Sequence, residues 1–160
     1  MTKPKRLLLD RCFYHVLTRG NQKQIIFHDE TDYVKYLDIL RHYKKECKFK
    51  VFCYCLMPNH VHLLLGLVDG KILSKIMLKV NLTYTSWYNG RYKKVGHLWQ
   101  GRYKSLAILS DDYLLKCIEY VESNPVRANI ALSPFSYPYS SARYRMSGQF
   151  NNLLDTLKEV

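Results

Sequence analysis

The chain has 160 residues, a length that suits one domain able to bury a core without disulfide staples. Lysine and arginine outnumber aspartate and glutamate by 25 to 13, and the net charge of +12 favours polyanionic partners, nucleic acid above all. No apolar stretch reaches the roughly 18 residues that span a bilayer, and the N-terminus is too weakly apolar for a signal peptide, so we expect a cytoplasmic protein without membrane contact.

The first half of the chain predicts a strand, a helix and a hairpin. Alternating β-prone residues predict a first strand over 12–19, which ends at Gly20-Asn21. Apolar residues at helical spacing, with acidic residues first and lysines near the end, predict a helix over 29–47. Two β-prone runs, 49–56 and 60–67, are separated by three residues only, so we expect an antiparallel hairpin.

The second half predicts two helices and one further strand. Apolar steps of three and four predict a helix over 73–88 that stops at Asn89-Gly90. Residues 105–109 predict a fourth strand, with a hairpin to the Trp99 region as one alternative. Ser110-Asp111-Asp112 caps a third helix that runs to about Ser123. Residues 131–147 are rich in turn formers, and a short terminal helix is expected within 150–160.

This element order indicates the fold class. It predicts an α+β fold with a ferredoxin-like β-α-β-β-α-β core, an antiparallel sheet and a third, tyrosine-bearing helix. We expect a single domain over 1–160, with a core of about 12–130 and a C-terminal tail over 131–160. The five cysteines form no Cys-x-x-Cys pair and are expected to be reduced and mostly buried thiols.

His60 and His62 are the strongest chemical signal. Side chains alternate along a strand, so both imidazoles share one face while Val61, Leu63 and Leu65 line the other. Same-face residues lie roughly 6.5 to 7 Å apart, a span that two imidazoles can close around one metal ion. The alternative, one hydrogen-bonded core histidine and one incidental histidine, stays open at this point.

The third helix carries the second signal. Its predicted core stripe is formed by Leu114, Leu115, Ile118 and Val121. On the helical wheel Tyr120 lies off that stripe, and Asn124 follows one turn later on the same face. A surface tyrosine without a function is the simpler alternative. Beside an oxygen ligand such as Asn124, however, Tyr120 becomes a candidate nucleophile.

Together these residues predict a phosphodiester-cutting site. A divalent ion held by His60, His62 and Asn124 would polarise a phosphate oxygen while Tyr120 attacks phosphorus. Imidazole and oxygen ligands with open positions suit Mg²⁺ or Mn²⁺ better than a structural zinc ion. The group that activates the phenol is not identified by the sequence.

With these residues the chain resembles the single-tyrosine HUH transposases of the insertion-sequence 200-like class, and most closely their REP-associated tyrosine transposase branch. The resemblance runs from about Phe13 to Ile130. Four segments carry it: Tyr14 to Asn21 with Ile26-Phe27, Met57-Pro58-Asn59-His60-Val61-His62, Leu98-Trp99-Gln100-Gly101-Arg102-Tyr103, and Asn124-Pro125-Val126-Arg127-Ala128. Tyr139-Ser140-Ser141 stands where relatives often have a tryptophan before two serines.

The resemblance implies a function and roles for the site residues. Tyr120 would form a 5′-phosphotyrosine link and release a 3′-hydroxyl, with Asn124 completing the metal site. The substrate would be single-stranded DNA folded into an imperfect hairpin, with a guide sequence beside the cleavage point, and the protein would be bacterial-type and nucleoid-associated.

Basic and aromatic residues are the expected means of holding such a strand. Trp99 is expected in the core rather than as a stacking platform. The candidates for DNA contact are Lys3, Lys5, Arg6, Arg19, Arg91, Lys93, Lys94, Arg102, Lys104 and Arg127, interleaved with Tyr92 and Tyr103.

Three other functions are alternatives to this one. A histidine-triad hydrolase would need a third histidine where Leu64 stands. A domesticated hairpin-binding regulator with little or no cleavage is the main alternative, and a structural metal-binding protein comes after it. A homodimer also stays open, in which Tyr120 serves either its own histidine pair or that of a partner subunit.

Overall fold

A four-stranded antiparallel sheet is the centre of the fold in the computed structural model, which describes residues 5–157. The sheet order is β2-β3-β1-β4, with β1 at Cys12–Arg19, β2 at Lys50–Met57, β3 at His60–Leu67 and β4 at Lys104–Ile108. Each neighbouring pair is antiparallel. Strand β3 therefore lies between β1 and β2, as the split β-α-β pattern requires. The predicted ferredoxin-like α+β fold is confirmed.

Helices cover both faces of this sheet. Two long helices, α1 and α2, share one core with one sheet face, and α3 packs over β2 and β3 on the other. None of the helices within residues 5–157 is long and apolar enough to cross a membrane. The helices are α1 at Glu30–Cys47, α2 at Leu73–Tyr92, α3 at Asp111–Glu122, α4 at Asn124–Arg127 and α5 at Ala142–Ser147, with single 3-10 turns at Asn21–Lys23, Gly70–Ile72 and Pro134–Ser136.

Alternation along β3 divides its side chains as predicted. Val61, Leu63 and Leu65 are fully buried in the core beneath α1 and α2. His60 and His62 project from the opposite face, the face that α3 covers only in part. The fold thus places both imidazoles at the edge of a buried core, where one side is open to a ligand.

The second helix extends four residues beyond its predicted end. It continues through Gly90 to Tyr92 and stops where Lys93 adopts the left-handed conformation with φ 55°. A glycine inside a helix costs only about 1 kcal/mol. The extra turn brings Arg91 and Tyr92 to the fully buried Asp32, whose carboxylate accepts hydrogen bonds from both at 2.6 Å. This network explains the longer helix. It also pairs the guanidinium of Arg91, a residue predicted to contact DNA, with the Asp32 carboxylate.

Other boundaries shift by less. The second strand begins and ends one residue later than predicted, and the fourth begins and ends one residue earlier. Trp99 is buried as expected, but it forms a bridge with Gly20 instead of a hairpin with β4. The terminal helix expected within 150–160 is wrong for residues 150–156, and residues 158–160, like Lys3, lie outside the described part of the chain.

The core stripe of α3 is rotated relative to the prediction. Leu114, Ile118 and Val121 are buried, but Leu115 is 59% exposed and Cys117 takes its place. The rotation turns Glu122 inward. All five cysteines are free, and four are buried, as predicted. Burial raises the pKa of the Cys55 thiol to about 12, so this thiol stays protonated at neutral pH.

A C-terminal strap, residues 139–155, covers the outer edge of β2. Its backbone pairs with the strand where Leu56 N donates to Tyr139 O and Ser141 N donates to Tyr54 O. Glu122 on α3 joins this strap, because its carboxylate accepts from Ser141 Oγ at 2.7 Å and from Arg145 Nε at 3.1 Å. The strap therefore connects the sheet edge to the helix that carries Tyr120.

Replacing Glu122 by alanine is expected to lower the free energy of unfolding by about 1 to 3 kcal/mol, because Ser141 and Arg145 then lack the buried carboxylate that accepts their hydrogen bonds. The lower part of that range applies if Arg145, whose side chain is 38% exposed, rehydrates fully. Urea denaturation measures the change. Glu119→Ala, on the exposed side of the same helix, is the matched control. Equal losses in the two variants would show that the Glu122 contacts do not stabilise the fold.

Candidate active site

The histidine pair begins β3 directly after the turn at Pro58 and Asn59. The rings of His60 and His62 lie 5.0 Å apart between centroids, with their planes at 79°. His60 Nδ1 lies 2.7 Å from Asn59 Oδ1, an oxygen that can only accept. His60 is thus held with its proton on Nδ1, which leaves Nε2 with a free lone pair.

Burial keeps both imidazoles neutral. The pKa of His62, which is 3% exposed, is lowered to about 3, first by desolvation and then by the charges of His60, His15 and Arg127. Desolvation and Arg19 lower the pKa of His60 to about 4, against a smaller raising effect of a hydrogen bond that Asn124 accepts from the protonated ring. Neutral imidazole is the form that binds metal ions.

Tyr120 lies over these histidines. Helix α3 begins at its cap Ser110, whose side chain accepts from Tyr113 N, and it runs across the sheet face toward the pair. The Tyr120 ring lies 5.9 Å from the ring of His62 and is 49% exposed. The tyrosine and the histidine pair of one and the same chain meet here.

Asn124 completes the predicted set. It begins α4, where Pro125 occupies the first turn and restarts the helix after α3. Its amide Nδ2 donates weakly to Tyr120 O at 3.4 Å, and its side chain also hydrogen-bonds His60. The Asn124 amide therefore lies between the end of the Tyr120 helix and the first histidine of the pair.

This donor set fits a divalent cation with open coordination positions. Residues 5–157 contain no cluster of three or more histidine, cysteine or acidic side chains suited to a metal. A closed zinc site of four nitrogen or sulfur ligands would need such a cluster. The site can instead accept a ligand on its exposed side, next to Tyr120.

Arg127, which is predicted to contact DNA, also contacts Tyr120. Its guanidinium lies over the Tyr120 ring with Cζ 4.1 Å from the centroid, and it donates to Tyr120 O at 2.9 Å and to Ser123 Oγ at 2.5 Å. A guanidinium in this position holds the ring by cation-π attraction and by hydrogen bonds to the helix end. DNA contact by Arg127 stays a prediction.

The Arg127→Lys variant distinguishes a role in holding Tyr120 from a role in DNA binding. Lysine keeps the charge but loses the planar stack and the forked hydrogen bonds, so we expect cleavage to fall about tenfold or more while hairpin affinity changes less than about threefold. Single-turnover cleavage and a filter-binding titration measure the two effects. A fall in affinity that accounts for the whole loss of cleavage would show that Arg127 serves DNA binding.

The other predicted cations are distributed around the sheet. Arg19 is paired with His60 across β1 and β3, and Lys104 is paired with Leu17 across β1 and β4, so both flank the histidine face. Lys93 and Lys94 follow α2, which packs on the opposite face. Arg102 lines a groove of about 600 Å³ beside α2, where Arg6 lies 3.7 Å over the Tyr103 ring.

One residue of the site was missed from the sequence. His15 on β1 lies with its Nε2 2.9 Å from His62 Nδ1, and its ring is 5.9 Å from that of Tyr120. Its position in an alternating strand was visible, but only the register of β1 against β3 brings it to His62. The available signal was a histidine in the middle of β1, which a prediction of the pairing between β1 and β3 could have used.

The depressed histidine pKa values predict acid destabilisation of the metal-free chain. His60 and His62 titrate near 4 and 3 when folded and near about 6.5 when unfolded. Between these values the unfolded chain binds more protons, so the free energy of unfolding falls as pH is lowered below about 6.5 and is fully present above it. Urea midpoints at about pH 7 and about pH 5, in chelator, test this. A double variant with glutamine at both positions should show a shallower pH dependence, and an unchanged slope would contradict the assignment.

Comparison with known proteins identifies the family. Residues 9–124 match the family described as "Transposase IS200 like", and the chain belongs to this family. A protein of Haemophilus influenzae assigned as a REP-associated tyrosine transposase is 27% identical over 143 residues, which cover 81% of this chain and 77% of that protein. The resemblance predicted from the sequence is confirmed. Membership places the chain among transposases, enzymes that cut and transfer DNA.

Solved structures share the fold. A REP-associated tyrosine transposase bound to a REP hairpin superposes with a TM-score of 0.77 at 16% identity, covering 98% of this chain and 92% of that one. A Deinococcus radiodurans protein assigned as a transposase gives a TM-score of 0.53 at 21% identity, covering 76% of this chain and 97% of that one. At such identities the likeness shows the fold alone, including the helices added to the ferredoxin-like core.

Proposed function

We propose that the chain is a metal-dependent endonuclease and strand transferase that cuts single-stranded DNA beside a hairpin by attack of Tyr120. The observation that carries this proposal is the half-exposed Tyr120 ring, 5.9 Å from the ring of His62 in the same chain. A tyrosine kept at a surface next to buried, neutral imidazoles suits nucleophilic attack on a phosphate better than it suits packing. Membership of a transposase family supports the same reading.

In the proposed reaction Tyr120 Oη forms a bond to phosphorus, and the bond from phosphorus to the 3′ oxygen breaks. The phenol proton leaves as the attack proceeds, and the departing 3′ oxygen gains a proton. The products are a 5′-phosphotyrosine on the protein and a free 3′-hydroxyl. Strand transfer reverses the step, because a 3′-hydroxyl of another strand attacks the phosphotyrosine and releases Tyr120.

His60 and His62 would hold Mg²⁺ or Mn²⁺ through their Nε2 atoms, with the Asn124 side-chain oxygen as the third protein ligand. When bound, such an ion withdraws charge from a non-bridging phosphate oxygen. The chain itself supplies the orientation: Asn59 fixes the His60 ring, and Arg127 holds the face of the Tyr120 ring. Because these groups belong to one chain, we propose that cleavage does not require a homodimer.

The DNA would cross the open part of the histidine face. Arg19 and Lys104 flank that face and are exposed, so their charges are available to phosphates on either side of the scissile bond. A hairpin as the substrate is supported by the similarity to REP-associated tyrosine transposases, one of which was solved with a REP hairpin. We therefore propose a REP-like hairpin with a flanking single strand as the substrate of this chain.

The test uses single-stranded hairpin oligonucleotides from the flanks of the chain's own gene, labelled at one end or the other. We expect a denaturant-resistant protein adduct with Mn²⁺ or Mg²⁺, and none with chelator. The 3′ label should stay with the protein, whereas the 5′ label should leave on a fragment ending in a 3′-hydroxyl. Adduct formation with the opposite polarity would overturn the proposed link.

Tight hairpin binding without an adduct under either metal would overturn the enzyme proposal in favour of a hairpin-binding regulator. The assembled Tyr120, His60 and His62 favour the enzyme, since binding alone does not need a tyrosine placed over buried histidines.

A further inference from the structure

His15 and His62 form a direct hydrogen bond between rings. Leu17 is paired with His62 across β1 and β3, so His15, two residues earlier on the same strand face, is a diagonal neighbour. Their ring planes are only 17° apart, the centroids are 5.2 Å apart, and His15 Nε2 lies 2.9 Å from His62 Nδ1. Rings that were stacked face to face would not bring two edge nitrogens this close. The rings meet edge to edge, in nearly one plane.

One proton lies between these two nitrogens. The nitrogen to which it is bonded sets the tautomer of His62, and the tautomer decides whether His62 can bind a metal ion. If His15 Nε2 carries the proton, His62 accepts it at Nδ1, and neutral His62 must then be protonated at Nε2. If His62 Nδ1 carries the proton, His62 Nε2 keeps a free lone pair and faces the site. Only the second arrangement allows His62 to bind a metal ion through Nε2 while its other nitrogen is held.

The same arrangement exists at the other histidine of the pair. Asn59 Oδ1 is an acceptor beside His60 Nδ1, and it fixes the Nδ1 proton and a free Nε2. Each histidine of the pair therefore has a hydrogen-bond partner at Nδ1. Partners of this kind orient a ligand ring and set its tautomer.

We propose that His15 is the positioning residue of His62: its Nε2 accepts a hydrogen bond from His62 Nδ1, which holds the His62 ring in place and keeps Nε2 free for the metal. The inference rests on the proposed function for its purpose, but the tautomer of His62 is a property of the metal-free chain. His15 is not itself proposed as a ligand, since its Nε2 is occupied by His62.

Two variants distinguish the hydrogen bond from simple packing. His15→Phe keeps a ring of similar size against Tyr120 but removes the acceptor. His15→Gln offers an amide oxygen at about the distance of the lost Nε2 and should restore the bond. His42→Phe, on the exposed side of α1, is the matched control for a histidine outside the site.

The first measurement is long-range nitrogen-proton NMR of the metal-free protein, which reports which ring nitrogen of His62 carries hydrogen. We expect Nδ1–H in the unmodified chain, in His15→Gln and in His42→Phe, and a shift toward Nε2–H in His15→Phe. A His62 that carries its proton on Nε2 in the unmodified chain would overturn the proposal. So would an unchanged Nδ1–H tautomer in a folded His15→Phe.

The second measurement is Mn²⁺ affinity without DNA, followed by the electron paramagnetic resonance signal of free Mn²⁺. His15→Phe should bind Mn²⁺ about 10 to 100 times more weakly, and His15→Gln should recover most of that loss. Equal affinity in His15→Phe and the unmodified chain would overturn the positioning role. If the unmodified chain bound no Mn²⁺ at all, the proposed metal-dependent function would fail, whereas the NMR result would still decide the contact between His15 and His62.

Discussion

Tyr120→Phe is expected to abolish the covalent protein-DNA adduct and to lower cleavage by about a thousandfold or more, because the variant lacks the oxygen that attacks phosphorus. Phenylalanine keeps the ring against His62 and beneath Arg127, so the fold and the hairpin site should stay intact. Hairpin affinity is accordingly expected to change less than about threefold. Denaturing gels of the labelled reactions measure the adduct, and a binding titration of the same preparations measures affinity.

Tyr113→Phe is the matched control for this variant. Tyr113 lies on the same helix and is 66% exposed, but it makes no ring contact with the histidines in the described structure. We expect its adduct yield to equal that of the unmodified chain. Cleavage that survives in Tyr120→Phe, or that is lost equally in Tyr113→Phe, would assign the nucleophile to another group, such as an activated water.

The elements that follow local periodicity could be predicted from the sequence. Alternation along one strand placed His60 and His62 on one face and Val61 on the other, and a helical wheel placed Tyr120 off the core. The sheet order followed from few choices, because a short hairpin and a crossover helix leave little freedom in a four-stranded sheet. The candidate nucleophile and histidine pair were therefore recognisable before any tertiary contact was known.

The features that could not be predicted from the sequence depend on contacts between residues far apart in the chain. His15 reaches His62 only through the register of β1 on β3, which periodicity does not specify. The rotation of α3 that exposes Leu115 accompanies the inward Glu122, whose partners Ser141 and Arg145 come from the C-terminal strap. A helical wheel drawn from α3 alone ranks an apolar residue such as Leu115 as core, because it contains no information about the contacts of Glu122.

Arg127 shows the same limit for charge. The sequence predicts DNA contact for Arg127 as one of several basic residues, and that stays a prediction. The turn at Asn124 folds it back over Tyr120, where ring and carbonyl receive the guanidinium. Arg127 is exposed, as Arg19 and Lys104 are, so its contacts with Tyr120 do not exclude contact with DNA, but only the folded chain shows them.

The His62→Leu variant tests whether His62 is needed to bind the metal ion, separately from its contribution to the free energy of unfolding. In the metal-free chain His62→Leu leaves the part-buried His15 Nε2 without its hydrogen-bond partner, so the free energy of unfolding is expected to fall by about 1 to 3 kcal/mol while the chain stays folded. The effect of Mn²⁺ should be opposite in the two proteins. At a hundredfold excess over its dissociation constant, a bound ion stabilises the unmodified chain by about 2.7 kcal/mol, and that increment should vanish in His62→Leu.

Urea unfolding with Mn²⁺ and with chelator, in the unmodified chain, His62→Leu and His42→Leu, measures this difference directly. His42 is exposed on α1, so its variant should keep the full Mn²⁺ increment. Retention of the increment in His62→Leu would mean that the ion binds elsewhere and that the buried pair is structural. Loss of the increment together with loss of the adduct, in a His62→Leu chain that still folds without the ion, would show that the imidazole is required for the ion and for cleavage in addition to its hydrogen bond with His15.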